Sequence, residues 1–177
     1  MKQVLLILFF LCAGVMTAQK VNWMTMNEAL AAQEKVPKKI IMDVYTVWCG
    51  PCKLLDKKTF GNQTVADFIN ENFYPVKFNA EGPEEIVFED FTYTNPNYQP
   101  ARKGRNATHF FADALKLRGY PSIVFFEDNG TLIQAVPGYK TPQELEIYLK
   151  MIANDDYKDL TTVEAWEAYQ KKFKGTF

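Results

Sequence analysis

The sequence predicts a single domain of the α/β class, and three stretches carry that prediction. Lys39 to Tyr45 is an apolar run suited to a strand at the centre of a sheet covered on both faces, and it leads into a helix that begins after Cys49. Tyr74 to Phe78 forms the next strand, and a strand–helix–strand order of this length implies parallel pairing through a right-handed crossover. Ser122 to Glu127 and Thr131 to Val136 are strands joined by Asp128-Asn129-Gly130, a strong signal for a tight hairpin.

Taken in order, the chain opens with Met1-Lys2-Gln3, an almost unbroken apolar run from Val4 to Val15, and then Met16-Thr17-Ala18. A basic start, a short apolar core and a small residue before the cut make residues 1–18 a secretory signal peptide, cleaved after Ala18. Met16 is larger than the usual residue at its position, so an uncleaved N-terminal anchor is the alternative. The apolar run falls short of the roughly 20 residues of a membrane span. Phe9-Phe10-Leu11 lacks the small residues of a lipid-attachment signal, so Cys12 is discarded with the leader. The domain is then expected to occupy residues 19–177, in a compartment outside the cytoplasm and, in a bacterium, the periplasm. Of three cysteines only Cys49 and Cys52 remain in it, so its stability must come from a packed core, which a chain of this size can form. A formal net charge of -1 gives no reason to expect nucleic acid.

Thr25-Met26-Asn27-Glu28 is a capping box that starts a first helix near Asn27, ended by Pro37. The helix after Cys49 runs through Leu54 and Leu55 and bends near Thr59-Phe60-Gly61, with Asn62 or Thr64 capping a second segment through Ile69. Asn106 to Leu115 reads as an amphipathic helix with Phe110, Phe111, Ala114 and Leu115 in the core. Thr141-Pro142-Gln143-Glu144 opens a helix carrying Leu145, Tyr148, Leu149 and Ile152 on one stripe. A last helix, about residues 161–174, opens on a box at Thr161 and Glu164 and packs Trp166, Tyr169 and Phe173 onto the domain.

The chemistry concentrates in Asp43-Val44-Tyr45-Thr46-Val47-Trp48-Cys49-Gly50-Pro51-Cys52-Lys53. Two cysteines three apart on a first helical turn share a face, within the Cα separation of roughly 4.4–6.8 Å that a disulfide requires. Unsatisfied N–H groups and a partial positive charge at a helix start stabilise a thiolate, lowering a cysteine pKa from about 8.5 to roughly 3.5–7.5. Cys49 is therefore the expected nucleophile and Cys52 the resolving thiol. The competing readings are half of a zinc site and a purely structural disulfide. Zinc requires further ligands, and only His109 and carboxylates remain to supply them, so no metal is expected.

Trp48-Cys49-Gly50-Pro51-Cys52-Lys53 resembles the active-site motif of the thioredoxin superfamily. The flanking Asp43-Val44-Tyr45 and Lys57-Lys58-Thr59-Phe60 are more similar to the carboxy-terminal domain of DsbD-type reductases, and the resemblance covers roughly residues 38–149. It implies a thioredoxin-like fold: a central mixed sheet flanked by helices, here with an added C-terminal helix and a long inserted loop at about residues 83–105. It implies a cis Pro121 facing the cysteines, with Tyr120 before it offering backbone groups to a substrate peptide. It makes Asp43, in a strand and expected to be buried beneath the cysteines, the acid/base group assisting Cys52, with its pKa raised by desolvation. It places Lys77 beside Asp43 as a supporting residue, and Trp48, Gly50 and Pro51 as contact surface for substrate. It further implies no cofactor beyond the redox-active Cys49–Cys52 pair, protein disulfides as substrates, a DsbD-like membrane protein as electron donor, and a monomer.

The expected function is that of a periplasmic thiol–disulfide oxidoreductase that reduces protein disulfides. The alternatives are a disulfide oxidase or isomerase, and a peptide-binding or chaperone module on the same scaffold. The sole histidine, His109, is expected to be structural. The stretch from Gly82 to Arg105 departs from the family pattern by the added residues Phe88 to Arg105, whose turn formers, aromatics and basic cluster read as a long surface loop that shapes partner choice.

Overall fold

The computed structural model describes residues 20–177, so the leader expected at residues 1–18 lies outside the described residues. In chain order the first elements are α1 (Met26–Gln33), β1 (Ile40–Tyr45), α2 (Gly50–Leu55), a π-helical turn (Asp56–Phe60), α3 (Gln63–Asn72) and β2 (Tyr74–Asn79). A hairpin follows, β3 (Ile86–Phe88) and β4 (Phe91–Tyr93), and then α4 (Phe110–Ala114). The chain closes with β5 (Ser122–Phe126), β6 (Leu132–Pro137), α5 (Pro142–Ala153), a 3-10 turn (Asp156–Asp159) and α6 (Val163–Lys172).

The main sheet has the order β2-β1-β5-β6 and is mixed. β1 pairs in parallel with β2, so that Asp43 stands opposite Lys77 and Tyr45 opposite Asn79. β5 runs antiparallel to β1, with Val44 opposite Ser122, and β6 runs antiparallel to β5. Side chains alternate across a strand. Ile40, Met42 and Val44 therefore join one core with Phe78, Phe111 and Phe126, whereas Ile41 joins the other with Leu55, Ile69, Phe125 and Leu149. Asp43 shares the face of Ile41, the face covered by α2, α3 and α5. The one carboxylate in an otherwise apolar strand is thus carried under the cysteine-bearing helix.

Local chemistry accounts for the helix boundaries. Thr25 and Glu28 close a capping box on α1, and Thr141 and Glu144 close another on α5. Asn62, not Thr64, caps α3, its Oδ1 accepting from the Val65 N–H at 3.2 Å. The bend before it is a π-helical turn ending at Gly61, where a Cβ would lie 2.6 Å from the Lys57 carbonyl oxygen, so the close approach of backbone demands glycine.

Three expectations need correction. The helix foreseen over Asn106 to Leu115 is reduced to Phe110–Ala114, because the backbone of the preceding residues is tied to other segments and His109 caps the shortened turn. Phe110 and Ala114 face solvent, and Phe111 and Ala112 are the buried members. The box at Thr161 and Glu164 does not form. Thr162 caps α6 instead, accepting from the Ala165 N–H at 3.1 Å, one residue later than expected. α6 still docks through Trp166, whose ring centroid lies 5.7 Å from that of Tyr148 on α5.

The third correction concerns the insertion. Its first part is the β3–β4 hairpin, not an open loop, turning on Glu89 and Asp90 at φ of 49° and 60°. Ile86 is fully buried, and Phe88 meets Phe111 and Phe126 edge to face. Of the aromatic residues that suggested a surface loop, Phe88 and Tyr93 pack on the core of the domain, whereas Phe91 remains exposed.

Candidate active site

The end of β1 delivers the chain to the site. After Tyr45 a turn is closed by the Cys49 N–H donating to the Thr46 carbonyl at 3.2 Å, and α2 starts at Gly50 with Pro51 in its first turn. Proline has no N–H to lose at that position. Cys49 is the N-cap, with extended backbone, and its Sγ accepts the Cys52 N–H at 3.1 Å. The two sulfurs are joined as a disulfide, with Cα atoms 5.3 Å apart. Cys49 and Cys52 are buried, whereas Val47, Trp48, Gly50 and Pro51 around them are exposed. The disulfide is therefore set in an apolar collar at the protein surface.

Beneath it Asp43 has no solvent exposure. Burial pushes its carboxyl up to about 6, against the opposing pull of Lys77, whose Nζ lies 3.1 Å from Oδ2. The pair is an ion contact, not a well-directed hydrogen bond, and neither carboxylate oxygen finds a hydrogen-bond partner among the described residues. A buried carboxylate without donors holds a proton more readily than one in water. Burial alone would lower the Lys77 pKa, but Asp43 and Asp56 together outweigh it and hold the ammonium above its usual value.

Asp56 was not among the residues singled out from the sequence. It ion-pairs with Lys77 from the π-helical turn and is partly exposed, so it links the buried pair to solvent. The signal that could have found it is spacing, since Asp56 is one helical turn beyond Cys52 and shares its face.

On the other side of the cysteines, the Trp48 indole N–H donates to Glu81 Oε2 at 2.8 Å. Glu81 follows β2 directly and is nearly buried. The same oxygen accepts the Asn106 N–H at 2.8 Å, and the Arg105 guanidinium carbon lies 4.2 Å from the centroid of the Trp48 ring. No sequence pattern flags Glu81, because its role depends on a contact across the sheet end.

Tyr120–Pro121 is a cis peptide bond. The register of β5 on β1 brings Pro121 to the end of the sheet from which the Cys49 loop leaves. The Pro121 carbonyl accepts from the Gly138 N–H at 2.8 Å, and Ser122 Oγ donates to the Gly119 carbonyl at 2.7 Å. The Tyr120 N–H and C=O have no partner among the described residues. Burial, and secondarily Glu81, raise the pKa of the Tyr120 phenol.

His109 is buried and both its ring nitrogens are used. Nδ1 accepts from the Phe111 N–H at 3.0 Å, and Nε2 donates to the Glu84 carbonyl at 2.5 Å. Burial lowers its pKa, so it stays neutral and structural. Among the described residues no group of three or more His, Cys, Asp or Glu side chains is placed to hold a metal ion.

The model of the thioredoxin-like domain family matches residues 26–153, which spans every element from α1 to α5. The thiol:disulfide interchange protein DsbD of Pectobacterium atrosepticum is 25% identical over 131 residues, covering 73% of this chain and 18% of that protein. This chain thus matches less than a fifth of the DsbD protein's length. A thioredoxin of Mycoplasmoides gallisepticum is 23% identical over 113 residues, covering 64% of this chain and 83% of the thioredoxin. Among solved structures, a thioredoxin-fold protein from Helicobacter pylori superposes with a TM-score of 0.58 at 17% identity, covering 82% of this chain and 94% of that one, a likeness of fold. Fold, Cys49–Cys52 pair and family match agree: the chain belongs to the thioredoxin-like domain family, with a disulfide oxidoreductase type of function.

Proposed function

We propose that the protein reduces disulfides of other proteins outside the cytoplasm. The observation that carries this reading is Cys49 at the N-cap of α2, its sulfur accepting the Cys52 N–H, with Asp43 buried behind the pair. In the dithiol form the N–H groups of the first turn stabilise a Cys49 thiolate. That thiolate attacks one sulfur of a substrate disulfide, forming a Cys49–substrate disulfide and releasing a substrate thiolate. Cys52 then gives its proton to the Asp43 carboxylate and attacks Cys49 Sγ. The mixed disulfide breaks, the second substrate thiolate leaves, and Cys49–Cys52 is left oxidised. Two electrons have passed to the substrate.

The cycle needs a dithiol donor to restore Cys49 and Cys52, and a membrane protein of DsbD type is the class we favour. Trp48, Gly50 and Pro51 on one side and Tyr120–Pro121 on the other form the walls against which a substrate strand lies. The Tyr120 N–H and C=O, without a partner among the described residues, support this, since an extended peptide binds through such backbone groups. Location outside the cytoplasm is supported by the leader pattern of residues 1–18. No helix among the described residues is long and apolar enough to cross a membrane.

The reductive direction is supported by the Gly50-Pro51 dipeptide, which is that of thioredoxins, at about −270 mV. Equilibration with glutathione buffers should give a potential well below −180 mV, about that of protein disulfide isomerase. A value above that mark removes the reductase reading and leaves an oxidase or isomerase.

A further inference from the structure

The inserted segment contributes to one wall of the site through a single cation. The Arg105 guanidinium carbon lies 4.2 Å from the centre of the exposed ring of Trp48, the residue next to Cys49. Its position is held from below. Asn106, its neighbour, donates its backbone N–H to Glu81, which also receives the Trp48 indole N–H. Asn95 ties the rest of the segment down by donating to the carbonyls of Gly82 and Ala107 at 3.1 and 2.8 Å. The His109 N–H donates to the Ala80 carbonyl at 2.8 Å. The guanidinium is thus fixed at the rim of the site while its side chain stays exposed.

A guanidinium stacked on an aromatic face keeps its in-plane N–H donors free, and their fork matches a carboxylate. Among the described residues Arg102, Lys103 and Arg105 form no ion pair. Glu81 is occupied by Trp48 and Asn106. Two further cations lie near Pro121. Lys116 and Arg118 line a hollow with Ser122 and Pro137, next to the cis Pro121, and among the described residues they too form no ion pair. A substrate strand laid along Trp48 and Pro121 would meet Arg105 at the first and come near Arg118 at the second.

We propose that Arg105, with Arg118 near Pro121, selects protein disulfides whose cysteines are flanked by acidic residues. This rests on the reductase reading above and names the substrate class of that site. Arg105 acts here as a specificity residue: the sulfur chemistry is unaltered, and the pairing of guanidinium with substrate carboxylate favours formation of the encounter complex.

The test uses two synthetic peptides, each closed by one disulfide, with glutamates beside the cysteines in one and lysines in the other. The protein is kept reduced by dithiothreitol, and each kcat/KM is divided by that of the same protein with hydroxyethyl disulfide, so that any general loss cancels. Wild type should favour the glutamate peptide by about 5- to 10-fold at low salt, the range of a few exposed charge contacts. The preference should shrink towards unity in about 1 M salt, where the Debye length is about 3 Å. Arg105→Gln should reduce it, and R105E combined with R118E should invert it. A ratio that is the same in wild type and variants, or a wild-type preference indifferent to salt, overturns the proposal while leaving disulfide reduction intact. Failure of wild type to reduce either peptide faster than Cys49→Ser overturns the reductase reading and this proposal together.

Discussion

Cys49→Ser is expected to bring insulin reduction down to the rate of dithiothreitol alone, whereas Cys52→Ala is expected to stop the reaction halfway. The difference follows from the position of each sulfur on α2. Cys49 is the cap residue, and its Sγ already receives an N–H of the first turn. A thiolate there is stabilised before any substrate arrives, and only the thiolate is a competent nucleophile. A serine hydroxyl at the same place stays protonated and cannot open a disulfide. Cys52 lies inside the turn, nearly as buried as the core, and its task is to attack Cys49 Sγ. Without it the first substrate protein remains attached. Mass spectrometry of Cys52→Ala incubated with a disulfide protein should therefore show the covalent adduct, and Cys49→Ala should show none. An adduct on Cys49→Ala alone would reverse the two roles. Insulin reduction by Cys49→Ser at the wild-type rate would instead favour a peptide-binding module.

Asp43→Asn is the second large effect, and it acts on rate and stability in opposite directions. Asparagine keeps the shape but cannot take the Cys52 proton, so resolution of the mixed disulfide should slow by about 10²-fold, the lower end for a positioned general base. The rate profile should also lose its inflection near the carboxyl value of about 6. For stability the sign is set by the raised pKa. The folded carboxyl titrates at about 6, while an unfolded aspartate titrates near 3.9. Between about pH 4 and pH 6 the folded state holds a proton that the unfolded state has lost, so the wild-type protein loses stability as pH rises. A displacement of about two pH units amounts to about 3 kcal/mol. Asp43→Asn should lack this loss, so that the oxidised variant is more stable than wild type by about 2–3 kcal/mol above the window and similar to it below. Lys77 keeps Asp56 as a partner, which limits the cost of removing Asp43. Denaturant unfolding of both proteins across the range checks this. Stability curves that run parallel would mean that Asp43 ionises as freely as an exposed aspartate.

Much of this site is legible in the sequence because its parts are local or sit in strong patterns. Cys49 and Cys52 share one turn, and β1 is apolar apart from Asp43, so the burial of that carboxylate follows from strand alternation. The pairing of Asp43 with Lys77 needed only the register of two adjacent strands, which the resemblance supplied. What escaped depends on contacts between distant segments. Glu81 reaches Trp48 and Asn106 across the sheet end, and nothing beside it in the chain marks it. The β3–β4 hairpin turns on Glu89-Asp90, which lacks the Asn-Gly signal that made the Asp128-Asn129-Gly130 turn easy to read. The helix over residues 106–115 failed for a related reason. Its periodicity was adequate, but the Phe110 N–H, which that helix would turn to the Asn106 carbonyl, donates to the Thr94 carbonyl instead, and the Phe111 N–H is taken by His109 Nδ1.

Disulfide exchange at this site requires Cys49 to be ionised where free cysteine is not, and alkylation of the reduced protein across pH measures that directly. Iodoacetamide modification, followed residue by residue, should give Cys49 a midpoint well below the free-cysteine value of about 8.5, with Cys52 unreactive at that pH. Equal rates for the two thiols, both rising near 8.5, would contradict it.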